Sequence, residues 1–128
     1  RLVAKVAAAR DELTRVEADC KDGAAVGVIS VGCAARPARG AALKLTSSGL
    51  PVSFLRVITL WPFPNRQVRD FCARHKAVLV VEQNLGQLCR VVERFAEPDK
   101  VRPFGKIGGV LPSVDEVAAA IEDVVKTL

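Results

Sequence analysis

Apolar positions along the chain follow two different periods. Continuous apolar runs rich in β-branched residues occur at 25–31 (AVGVISV), 54–60 (FLRVITL) and 77–81 (AVLVV). Each is too short for a freestanding helix and reads as a buried strand. Residues 101–107 (VRPFGKI) form a fourth, weaker strand. Pro103 lacks a backbone donor there, which places this strand at a sheet edge. Between the runs the period changes to that of helices. Leu2, Val6, Ala9, Leu13 and Val16 make one stripe, so the spacing predicts an amphipathic helix over 1–18, then a hinge at 20–24 (CKDGA). Ala38, Ala41, Ala42 and Leu45 make a narrow face behind Pro37, closed by Ser48-Gly49. Val68, Phe71 and Cys72 mark a short helix, and Leu88, Val91, Val92 and Phe95 mark another. The second has Asn84 as its expected N-cap, with Gln87 returning the bond, and Pro98 as its stop. Ser113 and Glu116 open the last helix with an S-x-x-E capping box.

Four strands alternate with helices. Continuous rather than alternating apolar strands imply a mostly parallel sheet covered on both faces, an α/β fold. The expected organisation is a helix and hinge over 1–24 and one α/β domain over 25–128. The loops TLWPFPN and EQNLGQ follow two of the strands and share the carboxyl edge of the sheet, where ligands and partners of open α/β sheets bind.

Composition narrows the function classes. A chain of 128 residues suggests one domain, and no apolar run approaches the ~20 residues that span a bilayer. The chain opens on Arg1 and contains no Met, which suggests an excised fragment or a trimmed front. The net charge is +5, but Lys and Arg are scattered, and one Trp, five Phe and no Tyr offer little for stacking on bases. A solvated basic surface, or docking to an acidic protein partner, fits better than nucleic acid. Four cysteines, none in CxxC, and a single histidine give no zinc site and no iron–sulfur run. Cys72 and Cys89 fall on apolar helical faces as buried thiols, and free thiols favour a reducing cytoplasm.

Neither a Rossmann nor a P-loop phosphate cradle occurs, and G-x-S-x-G is missing. Nothing in the sequence favours pairing Cys33 with His75 as nucleophile and base. His75, beside Arg74 and Lys76 at a helix end, reads as exposed. Three features at the carboxyl edge remain. Arg36 in GCAAR lies beside a helix start, where a guanidinium and backbone amides can hold a carboxylate or phosphate, or simply bond a neighbouring loop. Glu82-Gln83-Asn84 cap the next helix and tie the adjacent loop. Trp61-Pro62-Phe63-Pro64 is a stiff apolar loop suited to internal packing or to covering a neighbouring domain.

At these residues the chain resembles a known family. LRVITLWPFP, VLVVEQNLGQL, the GCAAR turn and the closing GG-x-L-P-S-x-D-E-V are similar to the alpha subunit of 2-oxoacid:ferredoxin oxidoreductases of the 2-oxoglutarate and 2-ketoisovalerate type, relatives of pyruvate:ferredoxin oxidoreductase. The resemblance covers nearly the whole chain. It implies a three-layer α/β/α domain like the C-terminal domain of transketolase, as the C-terminal part of a longer subunit. It also implies a parent enzyme that decarboxylates a 2-oxoacid on thiamine diphosphate with magnesium, passes electrons through iron–sulfur clusters to ferredoxin, and forms an acyl-CoA. This chain lacks a G-D-G…N pattern and cluster cysteines, so no catalytic residue, metal or cofactor is expected in it. Its expected partners are the other domains and subunits of the enzyme, with ferredoxin reached through the complex. Arg36, Trp61, Asn84, Gly86 and Gln87 are the candidate interface or ligand residues. The alternative is a module holding an anion such as CoA, using Arg36 and the helix start at 85–87.

Overall fold

A computed structural model describes residues 1–128. Its frame is one five-stranded sheet of β1 (Val16–Asp19), β2 (Val26–Val31), β3 (Val52–Val57), β4 (Ala77–Glu82) and β5 (Val101–Gly105), in the order β1-β3-β2-β4-β5. β2 to β5 are parallel, and β1 pairs antiparallel with β3. Helix α3 (Ala35–Ser47) and helix α6 (Val114–Lys126) cover one face. Helix α4 (Asn65–Ala73) and the short helix α5 (Gln87–Val92) cover the other. The result is the three-layer α/β/α architecture expected.

Side-chain alternation divides the core. Val26, Val28, Val52, Phe54, Leu79 and Val81 face α3 and α6. Ile29, Leu55, Val57, Val78 and Val80 face α4 and α5. All six residues of β4 are buried, as a central strand covered twice must be. Ala38, Ala41 and Ala42 let α3 lie close to the sheet. The capping box of α6 forms as the sequence indicates: Glu116 N–H donates to Ser113 Oγ at 3.0 Å, and Ser113 N–H donates to the Glu116 carboxylate at 3.3 Å. Pro103 sits in β5, an edge strand, as its missing donor requires.

The front of the chain departs from expectation. Instead of a helix over 1–18 it forms α1 (Leu2–Ala8), a single turn α2 (Arg10–Leu13), and then β1, so the sheet has five strands rather than four. The apolar stripe at steps of three and four is real, but α1 and α2 bury no residue, and Leu2 is largely exposed. Nothing holds the helix past Leu13. The sequence V-E-A-D also fits a period of two, and pairing with the free edge of β3 supplies a full ladder, with Glu17 opposite Arg56 and Val16 opposite Val57. Tertiary pairing overrides the local pattern. The expected strand at 54–60 is likewise shifted forward, to Val52–Val57.

Candidate functional site

All four parallel strands end on one edge. The chain leaves β2 through Gly32-Cys33-Ala34 toward α3, and leaves β4 through 83–86 toward α5 on the opposite face. Neighbouring strands whose connections depart to opposite faces open a crevice at their carboxyl ends. Cys33 Sγ donates to Gln83 Oε1 at 3.2 Å across it.

The β4 loop is built around a buried carboxylate. Glu82 is 1% exposed. Its Oε2 accepts from Leu88 N–H at 2.8 Å and its Oε1 from Cys89 N–H at 3.2 Å. It thereby satisfies two first-turn donors of α5 that have no partner within the helix. Asn84 is not the N-cap: that position is Gly86, with φ 93°, a left-handed conformation suited to glycine. Asn84 Oδ1 instead accepts from Gly86 N–H and Gln87 N–H, both at 3.2 Å, in a turn before the helix. No bond returns from the Gln87 side chain. Glu82, reaching along from the last position of β4, takes the capping role because it enters the helix start from beneath. Asn84, Gly86 and Gln87 are thus together in one turn.

The Trp61-Pro62-Phe63-Pro64 loop after β3 divides its residues between inside and outside. Phe63 stacks on Phe95 with ring centroids 5.8 Å apart, and the Arg69 guanidinium lies over Phe95 at 5.4 Å. The Phe63 carbonyl accepts from Arg10 Nη1 at 2.7 Å, which fastens α2 to the loop. Pro62 and Pro64 are buried, but Trp61 remains 64% exposed. Leu60, Leu85 (77% exposed), Ile107 and Val110 also project, giving this edge an apolar rim.

Arg36 lies apart from the Asn84–Gln87 turn. It stands exposed at the start of α3 and lines a cleft of about 590 Å³ over β3 and β1 together with Arg39, Arg56 and Glu17. Sequence reasoning missed Arg39, Arg56 and Glu17. The available signals were Arg39 one turn after Arg36, and a charge inside the apolar run FLRV.

Cys33 and His75 cannot act together. Cys33 follows β2 at the carboxyl edge, whereas His75 precedes β4 at the amino edge. His75 is buried, not exposed (4%), with its ring packed on Phe71 at 4.5 Å. Its Nδ1–H donates to the Phe71 carbonyl at 2.7 Å, one helical turn back, which draws the ring inward. Burial, together with the charges of Arg74 and Lys100, lowers its pKa despite that bond. The neutral ring is therefore favoured on folding. This stability is fully present above the unfolded-state value near 6.5 and is lost as pH falls through it toward the lower folded value. Urea midpoints between pH 7.5 and 5 should fall more steeply for the wild type than for His75→Gln; parallel curves would contradict the buried neutral ring.

Cys72 and Cys89 are buried, and burial pushes both thiols up to about 11, so they stay protonated and inert. No group of three or more His, Cys, Asp or Glu side chains is placed to hold a metal ion. With two cysteines buried in the α4–α5 layer and the exposed Cys20 and Cys33 at opposite ends of the sheet, the residues do not fit an iron–sulfur cluster or a magnesium diphosphate site. No helix is long and apolar enough to cross a membrane.

The sequence matches the family model for pyruvate:ferredoxin oxidoreductase core domain II over residues 24–117. It is 34% identical over 118 residues to the 2-oxoglutarate synthase subunit KorA of Methanothermobacter marburgensis, covering 91% of this chain and 32% of that protein. It is 25% identical over 120 residues to the ketoisovalerate oxidoreductase subunit VorB of the same organism, covering 94% of this chain and 34% of that one. The chain thus spans about a third of the length of these curated relatives. Among solved structures, it superposes on the 2-oxoglutarate:ferredoxin oxidoreductase from Magnetococcus marinus, a complex with 2-oxoglutarate, coenzyme A and succinyl-CoA bound. There the TM-score is 0.85 and the identity 28%, over 94% of this chain and 21% of that one. A split-gene transketolase shares the fold, with a TM-score of 0.67 at 20% identity over 86% of this chain and 42% of that one.

Proposed function

Because the chain belongs to the pyruvate:ferredoxin oxidoreductase core domain II family, we propose that it serves as the transketolase C-terminal-like domain of a cytoplasmic 2-oxoacid:ferredoxin oxidoreductase alpha subunit. The parent reaction cleaves the C1–C2 bond of a 2-oxoacid such as 2-oxoglutarate. It releases CO2, joins the acyl group to the CoA thiol, and passes two electrons to ferredoxin. Thiamine diphosphate, magnesium and iron–sulfur clusters belong to other parts of that enzyme, since the residues of this chain do not fit them. The role of this chain is to present a rigid docking edge to a neighbouring domain or subunit. The observation that carries this reading is the exposed apolar rim of Trp61, Leu85, Ile107 and Val110 on loops fastened by the Arg10–Phe63 and Glu82–Leu88/Cys89 hydrogen bonds. Such a rim is costly in water and stabilising once covered. The higher identity to 2-oxoglutarate synthase subunits supports 2-oxoglutarate over 2-ketoisovalerate as substrate.

The test is made in the assembled enzyme. Trp61→Glu, and separately Leu85→Glu, should lower 2-oxoglutarate-dependent ferredoxin reduction by at least about tenfold, as loss of a buried interface anchor does. The subunits should dissociate, or become protease-sensitive, at concentrations where the wild type is intact. Full assembly and full activity in both variants would remove the docking role.

A further inference from the structure

The cleft over β3 and β1 carries more positive charge than the fold uses. Arg36 and Arg39 enter it from α3, one turn apart, and Arg56 rises from the floor formed with Phe54. Glu17 is the one carboxylate in the lining, and it meets Arg56 only at Nη1, at 3.8 Å. Neither Arg36 nor Arg39 pairs with any carboxylate. Arg56 Nε is buried, without a hydrogen-bond partner. A buried donor left unpaired is costly, and the rest of the same side chain, 44% exposed, lines the cleft with its charge only loosely met by Glu17. Three guanidinium groups against one carboxylate leave an excess of two positive charges. A lone carboxylate offsets half of that. A phosphate monoester or diphosphate offsets it in a compact volume, and its oxygens match the forked donors of arginine. Leu43 and Leu111, both partly exposed, line the same cleft and offer an apolar wall for an organic group. The volume of about 590 Å³ suits a nucleotide-sized ligand.

We infer that the Arg36–Arg39–Arg56 cleft is a binding site for an organic phosphate, its phosphate held by the three guanidinium groups and its organic part lying against Leu43 and Leu111. The cleft is lined by residues of this chain alone, and none of the rim residues Trp61, Leu85, Ile107 and Val110 is among them, so its occupancy and the docking role stand or fall separately. The inference is tested on the 128-residue chain, by titrating ADP, orthophosphate and adenosine while following the arginine side-chain Nε–Hε signals by NMR and the heat of binding by calorimetry. ADP should saturate with shifts at Arg36, Arg39 and Arg56, bind about tenfold more tightly than orthophosphate, and weaken as salt rises. Adenosine should not bind. The double variant Arg36→Gln, Arg39→Gln should lose at least about tenfold in ADP affinity while keeping its urea midpoint, since both residues are exposed. Arg102→Gln, on β5, should leave binding unchanged. Unsaturable shifts spread over the surface, or equal ADP affinity in the double variant, would overturn the site. So would a hexaglutamate peptide that engages the same arginines more tightly than ADP, because the cleft would then be a protein-docking surface.

Discussion

Glu82→Ala is expected to lose about 3 kcal/mol of folding stability, a sizeable part of the whole for a domain of this size. The side chain lies wholly inside the protein, and its two oxygens each take one backbone N–H from the start of α5. Removing it leaves the Leu88 and Cys89 donors buried and unpaired, and each such donor costs about 1–3 kcal/mol. The negative charge also complements the positive end of the helix. Glu82→Gln separates these effects. It keeps the shape and one acceptor oxygen, but turns an amide group toward the second donor, so it should fall between the wild type and Glu82→Ala. Urea denaturation gives the order, and amide exchange at Leu88 and Cys89 locates it. A Gln variant as stable as the wild type would mean that only one of the two bonds matters.

Gly105→Ala should be nearly as damaging, about 2–3 kcal/mol, although it adds one methyl group. A Cβ at this position would stand 2.4 Å from the Asn84 carbonyl oxygen. That oxygen belongs to backbone, not to a side chain that can swing aside. Gly105 is also held in register opposite Glu82, so the strand end and the loop must separate. The turn in which Asn84 Oδ1 gathers the Gly86 and Gln87 N–H groups moves with it. Denaturation should therefore be accompanied by large amide shifts at Gly86 and Gln87 in the folded variant. An unshifted turn with unchanged stability would show that β5 and the loop are not in close contact.

These two residues mark where the sequence stops being legible. The buried runs of β2 and β4 declared themselves, because a strand covered on both faces must be apolar throughout. The α6 cap was equally plain, since Ser113 and Glu116 lie within one turn of each other. The β4 loop was harder. Asn84 has the residue type and spacing of an N-cap, whereas the carboxylate that does the work comes from six and seven positions away, off the end of a strand. No local rule distinguishes Glu82 from a strand-end charge in solvent. His75 is buried against the hint of its neighbours for a related reason. Its charged neighbours suggested a surface, and only the fold shows the ring turned back onto Phe71. The arginine cleft joins residues from a helix start and two strands, so Arg36 was visible alone while Arg39, Arg56 and Glu17 acquire meaning from the topology.

The antiparallel β1 has a consequence beyond its place in the sheet. A parallel core of β2 to β5 would end at β3, whose outer side would offer a row of free amide and carbonyl groups along an apolar strand, a template for uncontrolled strand addition by other molecules. β1 closes that row with four residues, two of them the acidic Glu17 and Asp19. Being short and negatively charged, it is itself a poor template. The family match begins at residue 24, after β1 has ended. A chain that began at residue 24 would keep its buried hydrophobic core and lose its aggregation guard.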